Sequence, residues 1–266
     1  MPENCESLPP LNRPVAPRAF RRAFYDEMLP LEIPTIETRL ESLESRIQKA
    51  LQRVRRQRSE ITLVAVSKKF SADHIREAYG VGLREFGENY VQEFAEKRPQ
   101  LTGLTEARFH LIGHLQANKT RIAADLFEVV QTVDSPKLLQ RLDAAAAAKG
   151  VTLEALLEIK LSDEVSKSGA APEDIAALLD AAGACPHIQL SGLMTMPPWS
   201  EDPEQSRPYF QRLAPLAAQY KLPKLSMGMS GDFEVAIEEG ATIIRVGTAL
   251  FGARPKPQPG DPVLPA

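Results

Sequence analysis

The sequence predicts a single α/β domain that folds as a (β/α)8 TIM-type barrel. Eight short candidate strands alternate with helical stretches along about 190 residues, and such alternation is typical of parallel βαβ units. Most of these strands are continuously apolar, as expected of parallel strands that are buried on both faces. An open, doubly wound sheet would produce the same alternation, but the count of eight favours the closed barrel.

The composition excludes several classes of protein. The chain has 266 residues, and 32 Lys and Arg against 35 Asp and Glu give a net charge of −3. This balance offers no broad basic surface for nucleic acid, and no run approaches the roughly 18 apolar residues of a membrane-spanning helix. The start of the chain lacks the basic and apolar segments of a secretion signal. Cys5 and Cys185 are too far apart in the sequence to form a CxxC motif. We therefore expect a cytoplasmic protein with no nucleic-acid or membrane partner.

Apolar periodicity defines the elements in chain order. A helix is predicted over Ile36–Val54, where apolar residues recur at steps of three and four. Proline in a first turn marks two later helix starts, at Pro136 and Pro172. The predicted strands are Ile61–Val66, Glu85–Gly87, Phe109–Ile112, Val129–Val133, Leu156–Leu161, Ile188–Leu193, Leu225–Met227 and Ile243–Val246.

Proline-rich segments flank the predicted barrel. Residues 1–30 show no sustained apolar period and are predicted to be an irregular extension. Residues 255–266 have the composition of an extended, proline-rich tail. The barrel is therefore assigned to residues 31–254.

The loops after the last two strands are candidates for a phosphate site. In a barrel of this kind the functional groups lie at the carboxyl ends of the strands, and phosphate often binds after strands seven and eight. Here these loops contain Gly228, Ser230 and Gly231, then Gly247 and Thr248. Glycines and a helix start let backbone amides approach an anion. The alternative is that the glycines only permit tight turns, and their spacing does not decide between the two.

Lys68 is the second candidate. It follows the first strand in phase with Val64 and Val66, so its side chain is expected to point into the barrel, whereas Lys69 points elsewhere. Partial burial favours the neutral form of a lysine, and a neutral amine condenses with an aldehyde to form an imine. A structural lysine at the barrel mouth is the alternative. Combined with a phosphate site, Lys68 suggests a binding site for pyridoxal 5′-phosphate (PLP).

Seven segments in order resemble the pyridoxal-phosphate homeostasis protein family, which is related to the N-terminal barrel of alanine racemase. The resemblance extends over residues 36–254 and implies an alanine-racemase-like barrel that binds this vitamin B6 cofactor as a Schiff base. The matching segments are Leu63–Lys68, Phe86–Glu93, Phe109–Lys119, Ser166–Gly169, Gly192–Pro197, Leu225–Ser230 and Arg245–Gly252.

The resemblance also implies a role for individual residues. Lys160 stands in strand five where the family commonly has an asparagine, which puts a role for that asparagine in doubt. No metal ligand and no catalytic residue is expected. The implied cofactor-binding residues are Lys68, which forms the internal aldimine, Asn89 near the cofactor, Arg245 beside the pyridine nitrogen, and Ser230, Gly247 and Thr248 at the phosphate.

Three functions are compatible with these residues: a PLP carrier, a PLP-dependent racemase, and an aldolase-type lysine barrel. The guanidinium of Arg245 cannot accept a proton from the pyridine nitrogen of PLP, so that nitrogen stays unprotonated. An unprotonated pyridine ring is a weaker electron sink than one whose nitrogen is paired with an aspartate. A racemase also needs a second base, and only 266 − 252 = 14 residues follow Gly252. We therefore expect a monomeric homeostasis protein that binds PLP, delivers it transiently to apo-enzymes and has no sustained turnover.

Overall fold

Eight parallel strands close into a barrel in the computed structural model, which describes residues 34–162, 164 and 168–253. Each strand pairs with the next one along the chain, and the eighth pairs with the first, Thr62 lying opposite Ile243. This last pairing confirms the predicted (β/α)8 barrel and excludes the open sheet. Residues 1–30 and 255–266, predicted to be an extension and a tail, lie outside the described residues.

Helices alternate with the strands as predicted, and none of those described combines the length and apolarity needed to cross a membrane. The strands are β1 (Thr62–Val66), β2 (Glu85–Glu88), β3 (Arg108–Leu111), β4 (Val129–Val133), β5 (Leu153–Glu158), β6 (Ile188–Met194), β7 (Lys224–Ser226) and β8 (Ile243–Val246). The α-helices are α1 (Ile36–Val54), α2 (Ala72–Gly80), α3 (Val91–Lys97), α4 (Thr120–Leu126), α5 (Pro136–Lys149), α6 (Ile175–Gly183), α7 (Arg207–Gln219), α8 (Phe233–Glu238) and α9 (Thr248–Phe251).

The fifth strand is the main correction to the predicted boundaries. It was expected at Leu156–Leu161 but spans Leu153–Glu158, whereas the other strands agree to within one residue at each end. Ile159 and Leu161 are buried in the loop that follows, so the apolar run continues past the end of the strand. Lys160 consequently lies in the loop and not in the strand. Pro172 begins a short 3-10 turn that leads into α6.

Helix α1 covers the side of the barrel that carries the predicted phosphate loops. It begins after Thr35, whose hydroxyl accepts a hydrogen bond from the Thr38 amide at 3.2 Å. Its apolar face, which includes Leu43 and Ile47, is buried against the short helices α8 and α9. These two helices follow β7 and β8, so packing of α1 holds the loops that precede them.

A close approach of β6 and β7 allows a prediction about stability. A Cβ atom added at Gly192 would lie 2.1 Å from the carbonyl oxygen of Lys224. Gly192→Ala should therefore force the strands apart and lower the free energy of unfolding by about 1–3 kcal/mol, measured by urea denaturation. Gly183→Ala is the control, because no atom lies within 4 Å of its added Cβ. Equal stability of the two variants would contradict the close approach.

Candidate functional site

A cavity of about 450 Å³ opens at the carboxyl ends of the strands. Its walls come from the ends of β1, β2 and β8 and from the loops after β6 and β7. All of the site residues predicted from the sequence line this one cavity, although that placement does not by itself test their roles. They are Lys68, Asn89, Ser230, Arg245, Gly247 and Thr248.

A buried cluster of charged side chains lies behind the end of β1. The Lys97 ammonium is 2.7 Å from a carboxylate oxygen of Glu88 and 2.8 Å from one of Glu93. Burial raises the pKa of Glu88 to about 7, although the neighbouring Lys97 opposes this shift. Sequence reasoning missed this cluster. The only available signal was the spacing of four residues between Glu93 and Lys97 on α3.

This cluster holds the backbone on both sides of Lys68. The Ser67 hydroxyl donates to Glu88 at 2.8 Å, and the amide of Lys69 donates to Glu93 at 2.6 Å. Lys69 adopts a φ of 65°, which is uncommon for a residue with a side chain. The turn lets Lys68 line the cavity while Lys69 is exposed, as the strand alternation predicted.

The loops after β7 and β8 meet at Ser230. Its hydroxyl oxygen accepts hydrogen bonds from the amides of Gly247 and Ala249, at 3.3 and 3.4 Å. The buried Asp232, which was not predicted as a site residue, accepts a hydrogen bond from the Met229 amide at 2.6 Å. Small residues and backbone amides are therefore brought together at one wall of the cavity, as anion binding requires.

Arg245 is buried at another wall and is held by two donated hydrogen bonds. One goes to the Ser226 hydroxyl at 2.6 Å, and the other to the carbonyl of Thr195 at 2.9 Å. Burial lowers the pKa of Arg245 to about 10, and the carboxylates of Asp232 and Glu158 oppose this shift. The guanidinium therefore remains positively charged at neutral pH.

A chain of hydrogen bonds continues from Arg245 across the interior of the barrel. Ser226 donates to Gln131 at 2.6 Å, and the Gln131 amide donates to His110 Nδ1 at 2.8 Å. His110 Nε2 then donates to Glu85 at 2.5 Å. With Nδ1 as an acceptor, the imidazole carries its proton on Nε2. His110 is thus part of the support of Arg245.

Asn89 lines the cavity, and its buried amide oxygen has no hydrogen-bond partner among the described residues. Buried polar atoms are nearly always hydrogen-bonded, so this acceptor calls for a partner that the described residues do not supply. Together with the cationic Arg245, the amine of Lys68 and the Ser230 loop, it fits a phosphorylated aromatic aldehyde. The charge pattern of the cavity agrees with the cofactor implied by the sequence.

Comparison with known proteins decides the family. The profile described as "Alanine racemase, N-terminal domain" matches residues 39–255. The pyridoxal phosphate homeostasis protein of Pseudomonas aeruginosa is 43% identical over 222 residues, covering 83% of this chain and 96% of that protein. The chain belongs to the pyridoxal phosphate homeostasis protein family. Another member of this family, from Aquifex aeolicus, is 40% identical over 222 residues, covering 81% of this chain and 97% of that protein.

Solved structures are consistent with membership of the pyridoxal phosphate homeostasis protein family. PipY of Synechococcus elongatus, with PLP bound, is 38% identical with a TM-score of 0.73, covering 82% of this chain and 100% of that chain. The alanine racemase of Clostridium difficile has a TM-score of 0.61 but 13% identity, covering 82% of this chain and 58% of that chain. The likeness to the racemase shows a shared barrel fold alone.

Glu158, at the end of β5, leads to a prediction about pH. The pKa of its carboxyl is raised from 4.5 to about 7, mainly by burial and also by Asp134, while Arg245 opposes this shift. Because Glu158 ionises more easily in the unfolded chain, the protein loses stability as pH rises from about 4.5 through about 7. Glu158→Gln lacks this loss, so between pH 5 and 8 its free energy of unfolding should gain about 2–3 kcal/mol relative to the wild type.

Urea denaturation at pH 5, 6.5 and 8 measures this difference. The control is Glu41→Gln, which removes an exposed carboxyl from α1 and should follow the wild-type pH profile. A Glu158→Gln profile parallel to that of the wild type would contradict a raised pKa for Glu158.

Proposed function

We propose that this protein binds PLP in the 450 Å³ cavity and serves PLP homeostasis in the cytoplasm. The observation that carries the proposal is the meeting of Lys68, Arg245 and the Ser230 loop in one cavity. PLP is present in the structure of PipY, a relative at 38% identity, which supports the same ligand for this chain. When bound, PLP supplies an aldehyde that condenses with amines.

Each wall of the cavity has a distinct task in holding the cofactor. Lys68 supplies the amine that meets the aldehyde. Ser230, Gly247 and Thr248 bind the phosphate through a hydroxyl and backbone amides. Arg245 faces the ring nitrogen and, being already charged, donates a hydrogen bond without giving up a proton. A ring that stays unprotonated is a weak electron sink, which suits retention of PLP better than turnover.

The carrier function is favoured over a racemase by the bases that the cavity contains. Among the described residues, the titratable side chains that line it are Lys68, Asp232 and Arg245. The carboxylate of Asp232 accepts hydrogen bonds from the Ser206 hydroxyl and the Met229 amide. Racemisation needs two positioned bases on opposite faces of the substrate, and these residues offer Lys68 alone.

Access to the cavity is compatible with transfer of PLP to other proteins. Trp199, in the loop after β6, lines the cavity and is 81% exposed. A cofactor that enters and leaves through this mouth could be passed to apo-enzymes in brief encounters. We propose that the protein acts in this way as a monomer.

Chemical labelling tests the lysine. Purified protein with PLP should be yellow, and borohydride followed by peptide mass mapping should place the pyridoxyl group on Lys68. Lys68→Ala should lose the label, because Lys68 is the one lysine among the described residues that lines this cavity. Lys69→Ala is the matched control and should keep the label on Lys68, since Lys69 is exposed. Labelling of a different lysine in the wild-type protein would refute the assignment.

Ser230→Ala tests the phosphate loop. Loss of one hydrogen bond to a charged group should weaken PLP binding by about 10- to 150-fold. Quenching of Trp199, the single tryptophan of the chain, measures PLP affinity directly. Ser200→Ala is the control. Ser200 also lines the cavity but lies in the loop after β6, outside the loops after β7 and β8, so affinity should be unchanged. Equal affinity of the Ser230→Ala variant and the wild type would remove Ser230 from the site.

A further inference from the structure

Asp232 lies at the point where the loop that contains Ser230 leads into α8. It lines the same cavity as Lys68, next to Ser230 and Gly231, and it is 8% exposed. A negative charge fixed beside a phosphate site repels the phosphate. A carboxylate at this wall therefore works against the binding that the neighbouring residues provide.

Neutral donors hold this carboxylate in place. The Ser206 hydroxyl donates to Oδ2 at 2.7 Å, and the Met229 amide donates to Oδ1 at 2.6 Å. A carboxylate that accepts two hydrogen bonds is held in its ionised form. None of the described lysines or arginines forms an ion pair with Asp232, so its charge is not cancelled by contact with a cation.

The charge of Asp232 acts on a group that lines the cavity. Burial lowers the pKa of Arg245, and the charge of Asp232 opposes this shift. The hydrogen bonds of Arg245 go to Ser226 and to the carbonyl of Thr195, so the guanidinium does not bind the carboxylate directly. Asp232 therefore contributes a negative potential to the cavity.

The donors beside Asp232 that can attract a phosphate are uncharged. The backbone amides of Ser230 and Gly231 donate to no acceptor among the described residues, and Thr248 lines the same cavity with its hydroxyl group. A phosphate monoester carries about two negative charges at pH 8. Attraction to these neutral donors and repulsion by Asp232 therefore oppose each other at one wall of the cavity.

We propose that Asp232 limits the affinity of this protein for PLP, so that the cofactor can leave again. The carboxylate repels the phosphate that Ser230 and its neighbours bind, and PLP is held less tightly than those donors alone would hold it. A protein that passes PLP to other proteins needs such a limit, because a cofactor bound too tightly is not released. This role rests on the proposed function.

Asp232→Asn tests the role of the charge. The amide can still accept from Met229 and can donate to Ser206, so both contacts are kept while the charge is removed. At pH 8 the variant should bind PLP about 5- to 50-fold more tightly than the wild type, as expected when repulsion between nearby charges is lost. Pyridoxal, which lacks the phosphate, should bind equally to both proteins. Quenching of Trp199 measures both affinities.

Two control variants separate this charge from other causes. Asp202→Asn removes an exposed carboxylate that does not line the cavity, and it should not tighten PLP binding. Ser206→Ala removes one support of Asp232 but keeps the charge, and it too should not tighten PLP binding. Tighter binding of PLP by either control, equal to that of Asp232→Asn, would overturn the proposal.

Equal or weaker PLP binding by Asp232→Asn would also overturn the proposal and leave Asp232 as a support of the loop. A matching gain for pyridoxal would do the same, because the effect would not depend on the phosphate. The proposed function would survive these outcomes and would fail instead if the wild type did not bind PLP. If Asp232→Asn folds poorly in urea denaturation, Asp232→Ser also removes the charge and should likewise bind PLP more tightly than the wild type.

Discussion

A buried guanidinium is the constraint around which the interior of this barrel is built. Arg245 is 3% exposed and keeps its charge at neutral pH, so its donors must find acceptors inside the protein. Ser226 and the Thr195 carbonyl supply two of them. Ser226 is oriented by Gln131, and Gln131 by His110, so polar residues on several strands serve one side chain. The orientation of Arg245 toward the cavity is therefore set before any ligand binds, and a pre-oriented cation loses little entropy on binding.

The lysine that follows the neighbouring strand β1 is positioned by a different device. The side chain of Lys68 projects from a turn whose two flanking residues are tied to the buried cluster of Lys97, Glu88 and Glu93. An ion cluster of this kind contributes little net stability, because desolvation offsets much of the attraction between its charges. Its effect is geometric, since it determines where the backbone turns and which of two adjacent lysines enters the cavity.

Much of this arrangement could be predicted because periodic apolar patterns determine which faces of strands and helices are buried. The bounds of β4, β8 and α1 agree with the sequence analysis, and the phase of Val64 and Val66 correctly placed Lys68 inside. β5 could not be delimited in this way, since its apolar run continues into a buried loop at Ile159. An apolar run of residues indicates which part of the chain is buried. The buried part can extend beyond the last hydrogen bond of a strand.

The sequence by itself determined the barrel, its family and six of the residues that line the cavity, because these depend on local patterns and on ordered motifs. Only the tertiary structure decided how those residues are supported. Lys97 pairs with Glu88, nine residues earlier, and Gln131 joins Ser226, ninety-five residues later. A cavity of about 210 Å³ at Glu158 is likewise lined by loops that are far apart in the chain. The contact between Gln131 and Ser226 arises from closure of the barrel, which brings distant strands together, and no pattern along the chain encodes which polar side chains will meet inside it.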